Sequence, residues 1–288
     1  MEDRKTSQMS LYGCADAATD FDRRHPHWRE VLDRLVQAID LSFTRTQTME
    51  TQIEKITYFY GRLIVEDFME IFLVSANGYG IAAMKLLRSM YEHTVTLRYL
   101  HEHPVEVENF IDYDAVQQFK LMQPIFETFG TDALPAETVA EVQRKYDEVK
   151  MKFMITDCKK CDTKRVNHSW NKLHFAAMAK RAGPIGSLIV HGYFIPLRHA
   201  HSTFKAITER LEKTEGTLGF QRESESKVAD EALMTAHNCV LVALEVQKER
   251  FNIEGLDAAL KNCVRDWALV WVPEKLHELD EDNKPRSA

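Results

Sequence analysis

The chain has 288 residues, 44% hydrophobic and 28% charged, enough to bury a core as one large domain or two smaller ones. Its 44 acidic and 37 basic side chains give a net charge of -7, which argues against a protein that coats nucleic acid through bulk electrostatics. The longest apolar runs are broken by charges such as Glu70 and fall short of the roughly 18 uncharged residues of a membrane span, so no membrane association is expected. Five cysteines, Cys14, Cys158, Cys161, Cys239 and Cys263, follow a start without a signal-peptide pattern; they read as reduced thiols in a cytoplasmic protein.

In chain order, residues 1–24 are polar with little periodicity and are expected to form a flexible arm. Pro26 opens a helix whose core face carries Trp28, Val31, Leu32, Leu35, Val36 and Ile39 at three-and-four spacing. Ile53, Ile56, Tyr60, Leu63 and Ile64 begin a second, long helix that Asn77-Gly78 ends. A third runs from Gly80 to about His103, where Pro104 resets the chain. The fourth carries Phe110, Tyr113, Val116, Phe119 and Leu121 to Gly130, with Pro124 inside it. Residues 135–153 alternate charges with few apolar positions and predict a solvated helix.

The basic stretch 150–167 predicts a loop or exposed hairpin, followed by a helix capped by Ser169 and ended by Gly183-Pro184. Residues 185–212 are broken by Gly192 and Pro196 and carry Arg198, His199 and His201. Residues 213–225 read as a loop, 227–251 and 255–272 as helices, and 273–288 as a flexible tail. The fold expected is all-α, a multi-helix bundle of long antiparallel helices forming a single domain over residues 25–272.

Residues 80–104, GIAAMKLLRSMYEHTVTLRYLHEHP, place Arg88 and Glu92 four apart within an apolar helical pattern. Two readings stand. The pair is a buried structural lock, in which case Arg88→Ala strands a buried Glu92, or it is a clamp whose guanidinium fork meets a phosphate or carboxylate.

The segment AAMKLLRSMYEHTVTLRYL resembles the leucine-leucine-arginine-serine-x-x-glutamate helix of the bacterial family known as domain of unknown function 5677. FIDYDAVQQFKLM from Phe110, SWNKLHFAAMAKRAG from Ser169, and Tyr193 followed by His201 appear in the family's order. The final helix around FNIEGLDAALKNCVRDW is also in keeping. The resemblance covers about residues 80–204. It implies an all-helical bundle of intracellular bacterial origin and no established activity. Where the family often has a serine one turn before the histidine, this chain has Leu197.

On the matching positions, His201 is the leading titratable candidate, the alternative being a core histidine hydrogen-bonded to Glu92 or Asp112; Tyr193 and His199 lie near it in sequence, and Tyr91, Asp112 and Tyr113 are further ligand-binding candidates. Arg88 and His93, like Arg98 and His103, also show the Arg-x4-His spacing of the HEPN (higher eukaryote and prokaryote nucleotide-binding) superfamily. That resemblance implies metal-independent RNA cleavage, with the histidine as general acid or base and the arginine stabilising transition-state charge. Positions five apart point about 140° apart on a regular helix, so convergence then needs a dimer or a distortion.

Cys158 and Cys161, with His168 and His174, supply four zinc-competent ligands, although only the Cys pair has knuckle spacing; the alternative is an unliganded basic loop and no cofactor. No Gly-rich phosphate loop, dinucleotide fingerprint, Gly-x-Ser-x-Gly elbow or His-Glu-x-x-His occurs, which excludes several large enzyme classes. The functional expectation is a helical protein that binds a protein partner, a second copy or a ligand through a buried Arg88, Glu92 and His201 cluster. The alternative is an HEPN-like ribonuclease acting on RNA as a toxin or anti-phage effector.

Overall fold

The computed structural model describes residues 9–10, 13–14, 16–44, 48–158, 163–201, 204–208, 210–214, 216–220 and 226–276. The protein is all-α. Helices α1 (Ala17–Arg24), α2 (Trp28–Phe43), α3 (Gln52–Ala76), α4 (Gly80–Glu102), α5 (Val107–Phe129) and α6 (Ala136–Val149) come first. Then come α7 (Phe175–Arg181), α8 (Ile195–Ala200), α9 (Phe204–Thr208), α10 (Ser226–Phe251) and α11 (Leu256–Trp271). Among the described residues, three two-stranded antiparallel hairpins join them: β1 (Met9–Ser10) with β2 (Gly13–Cys14), β3 (Met154–Cys158) with β4 (Thr163–Val166), and β5 (Leu211–Thr214) with β6 (Thr217–Phe220). The chain divides into two compact units, residues 1–101 with 179–288, and residues 102–178.

In the first unit α10 packs along α3 and α11, and α11 along α2. The start of α3 is fixed by a capping box: the Glu54 amide donates to Thr51 Oγ1 at 3.3 Å and the Thr51 amide to Glu54 Oε2 at 2.9 Å. Its end is set by Gly78 at φ +84°, a left-handed conformation that a side chain would strain. α4 and α10 carry more buried residues than the other helices, with Leu87, Met90, Tyr91, Val95 and Leu97 fully buried on one and Ala232, Ala236, Val240, Ala243 and Leu244 on the other. Each buried Leu or Val side chain contributes about 1.5–3 kcal/mol relative to exposure. At the start of α4 the helix backbone meets that of α10, since a Cβ on Gly80 would lie 2.6 Å from the Ala229 amide nitrogen.

A second close approach joins α3 to α10 and α2. Gly61 faces the Gln247 side chain, whose amide donates to the Thr57 carbonyl at 2.7 Å, and a Cβ on Gly61 would lie 2.7 Å from the Phe43 ring. Gly61→Ala should therefore lower stability by about 1–3 kcal/mol, measured as a fall in the urea midpoint with an unchanged slope.

In the second unit α5 packs on α6, which buries no side chain fully, as its charge alternation predicts. Tyr113, Val116 and Phe153 form its core with Tyr146, Val149, Val166 and Trp170 around them.

Several local expectations change. Residues 17–24, expected within a flexible arm, form α1 and bury Phe21 against Trp28 and Phe72. The helix expected from Ser169 begins only at Phe175. Asn171 Oδ1 accepts from the Leu173 amide at 3.0 Å and the Asn171 carbonyl accepts from Asn167 Nδ2 at 2.6 Å, so local side-chain bonding holds residues 167–173 out of helix. The 213–225 loop begins instead as the β5–β6 hairpin turning at Gly216, φ +82°; residues 221–225, like the tail beyond 276, lie outside the described residues.

His237, fully buried on α10, accepts a hydrogen bond on Nδ1 from Trp271 Nε1 at 3.2 Å, which places its proton on Nε2. Burial pushes its pKa down to about 3, so the folded state holds a neutral imidazole where the unfolded chain titrates near 6.5. A depressed histidine contributes stability above the unfolded pKa and loses it as pH falls. Stability should drop by about 3 kcal/mol between pH 6.5 and pH 4. His237→Phe should flatten that acid limb in pH-dependent urea denaturation, even if it lowers stability at pH 7.

Candidate functional site

The site forms where the segment after α7 crosses α4. Gly183, at φ +68°, and Pro184 turn the chain, and the buried Ile185 presents its carbonyl to the Tyr91 hydroxyl, which donates at 2.9 Å. The chain then makes a π-helical turn at Val190–Phe194. Gly192 in that turn lies directly on the Tyr91 ring: a Cβ there would stand 2.9 Å from Cε2 and closer still to two other ring atoms. The π turn runs into α8, which ends at Ala200 with His201 beyond it. π turns of this kind re-aim neighbouring side chains, and here the turn and α8 bring Tyr193 and His201 to Arg88.

Arg88 is held from three directions. Nε donates to Glu92 Oε1 at 3.1 Å, Nη1 lies 3.3 Å from His201 Nε2, and Cζ stands 5.1 Å from the centre of the Tyr193 ring. A guanidinium has no acceptor, so Nη1 donates and His201 Nε2 carries the lone pair. Nη2 has no hydrogen-bond partner among the described residues. The cluster is not buried as expected: the Arg88 and Glu92 side chains are 26% and 39% exposed, and His201 is exposed. Lys85, exposed one turn before Arg88, adds a second cation to that helix face.

The family model DUF5677, described as a family of unknown function, matches residues 56–218, more than half of the chain. The chain belongs to the DUF5677 family. No curated protein and no solved structure matches it. In this DUF5677 protein the matched stretch contains Arg88, Glu92, Tyr193 and His201, whereas α10 and α11, including residues 251–267, lie beyond it.

The remaining candidates of this DUF5677 chain have other partners. His93 leaves α4 on another side, its Nδ1 2.8 Å from Asp67 Oδ2 and its ring 5.8 Å from that of Tyr60. Arg88 and His93 therefore do not converge within one chain. Tyr91 is fully buried, and its burial raises the hydroxyl pKa well above the usual phenol range; its ring and hydroxyl serve packing. His199 lies half-buried on α8, two residues before His201.

Asp112 and Tyr113 belong to the second unit. There Asp112 accepts from Lys152 Nζ at 2.6 Å, and the Tyr113 hydroxyl donates to the Asn167 carbonyl at 2.8 Å while accepting from Lys120 at 3.0 Å. Of the four zinc candidates, Cys161 and the Cys158 side chain lie outside the described residues. His168 and His174 are exposed, and His174 Nδ1 accepts from the Ala177 amide at 3.3 Å, capping α7. Among the described residues no group of three or more His, Cys, Asp or Glu is placed to hold a metal ion. Nor is any described helix long and apolar enough to cross a membrane.

Sequence reasoning missed a second polar network on α4. Arg98 donates to Glu249 at 2.9 Å, His101 Nε2 lies 2.9 Å from the same carboxylate, and Arg250 donates to His101 Nδ1 at 3.2 Å. The arginine donor requires a neutral imidazole, and burial followed by the Arg250 charge lowers the His101 pKa accordingly. Its only sequence signal was the i,i+3 spacing of Arg98 and His101, which carries no chemistry until α10 is placed.

These placements separate structure from site. Glu92 stays hydrated without its partner, so Arg88→Ala should cost less than about 1 kcal/mol. Gly192→Ala forces Tyr91 or the π turn to move and should cost about 1–3 kcal/mol. Thermal unfolding of the two variants side by side measures the contrast.

Proposed function

We propose that this protein is a ligand-binding helical module whose Arg88 cluster takes an anionic group, a phosphate or a carboxylate. The observation that carries this reading is the three-sided support of one guanidinium, by Glu92, His201 and the Tyr193 face, with the Nη2 edge left over. A guanidinium fixed in this way has already lost its rotamer freedom, so less entropy opposes binding. Two parallel N–H donors from Nη1 and Nη2 match the oxygens of either group. Glu92 orients the fork from the opposite side, and Lys85 adds attraction.

The test is an NMR titration of the His201 ring resonances with inorganic phosphate and, separately, acetate. Saturable shifts are expected in the wild type. Arg88→Lys, which keeps the charge and loses the fork, should weaken binding about tenfold, equivalent to about 1.4 kcal/mol. Wild-type resonances unmoved by either anion would overturn the reading.

A second reading, metal-independent RNA cleavage, is favoured by the 3.3 Å separation of Arg88 and His201. It uses His201, not His93, as the imidazole partner; pairing Arg88 with His93 would require a second chain. Incubating RNA with the protein in chelator decides it. Cleavage lost in a folded His201→Ala variant supports this reading, and intact RNA removes it.

A further inference from the structure

Away from the Arg88 cluster, α10, α11 and the turn of residues 183–188 enclose a groove with a volume of about 380 Å3. Its walls are apolar: Leu241 and Val242 on α10, Val264 and Trp267 on α11, with Leu188 across from them. Val264 is 41% exposed. The volume lies within the range of small-molecule sites, which combine apolar walls with a few placed polar groups.

Two polar groups on α10 stand apart along the groove, and across from them Ser187 donates its hydroxyl to the Pro184 carbonyl at 2.8 Å. Asn238 and Glu245 both line the groove from α10, seven residues apart, which separates them by about 10 Å along the helix axis. α11 runs back along α10, with Trp267 Nε1 donating to the Met234 carbonyl at 3.2 Å, so the indole is fixed at the Asn238 end and the carboxylate stands at the other. The Glu245 side chain is 46% exposed. Its nearest cation, Arg98, stands 3.8 Å away but makes its shorter contact, 2.9 Å, with Glu249. Glu245 thus lines the slot with an exposed side chain whose ion pair to Arg98 is long and shared with Glu249.

From this we infer that the groove binds an organic cation: an apolar body about 10 Å long, lying along Leu241, Val264 and Trp267, with an ammonium at Glu245. The apolar walls supply the affinity and the single carboxylate sets the polarity and the orientation.

Octylamine, octanol and octanoate each have eight carbons, about the length of the groove, and differ chiefly in the charge of the head group. Calorimetric titration of the full chain with each should show saturable octylamine binding at least tenfold tighter than octanol, with octanoate weaker than both. Glu245→Gln should bring octylamine to the octanol level, and Val264→Trp, which fills the slot, should abolish binding of all three while the thermal midpoint is retained. Equal affinity for octylamine and octanol, or octylamine binding unchanged in Glu245→Gln, would overturn the inference. So would a concentration-dependent dimer in sedimentation that Val264→Trp dissolves, because a second copy would then be the occupant.

Discussion

The candidate site depends on the burial of Tyr91. One phenol, without exposed surface, gives its hydroxyl to the Ile185 carbonyl and its ring face to Gly192. That bond and the ring contact fix where the chain after α7 crosses α4. From that crossing the π turn can deliver Tyr193 and His201 to Arg88, one turn before Tyr91. The polar cluster is thus positioned by an apolar contact beside it, so its members can remain half-exposed and still hold their geometry.

α4 carries polar groups on several sides without burying an unpaired charge. Arg88, paired with Glu92, meets Tyr193 of the π turn and His201 beyond α8, His93 meets Asp67 of α3, and Arg98 and His101 meet Glu249 of α10. Each outlet has a carboxylate. Between them run the residues that bind α4 to the core, Leu87, Met90, Val95 and Leu97. The two imidazoles differ in their partners: His93 directs Nδ1 at the Asp67 carboxylate, whereas His101 receives an arginine donor, which favours its neutral form.

The main helices were legible in the sequence because their boundaries have local causes. Asn77-Gly78, Pro104 and Gly130 stop helices through backbone constraints that act within a few residues. The convergence of Arg88, Glu92 and His201 was also anticipated, on the strength of helix spacing and family resemblance. Its exposure was not, because a guanidinium at the margin of a core and one within it produce the same one-dimensional pattern. Asp67 and Glu249 could not be assigned as partners of α4, since nothing local distinguishes a carboxylate facing another helix from one facing solvent. The late start of α7 was hidden by Asn167 and Asn171, whose side chains compete for backbone groups only once residues 167–173 fold back on themselves.

The glycines of the first unit carry unequal evolutionary freedom. Gly192 is confined by a side chain, so a larger residue there becomes tolerable if Tyr91 shrinks in compensation, and the two positions can drift as a pair. Gly80 is confined by the Ala229 backbone, which is the same for every amino acid. No exchange at position 229 can make room for it. Relatives that keep this crossing of α4 and α10 must keep glycine at 80, while a relative with a side chain there must have moved the helices apart.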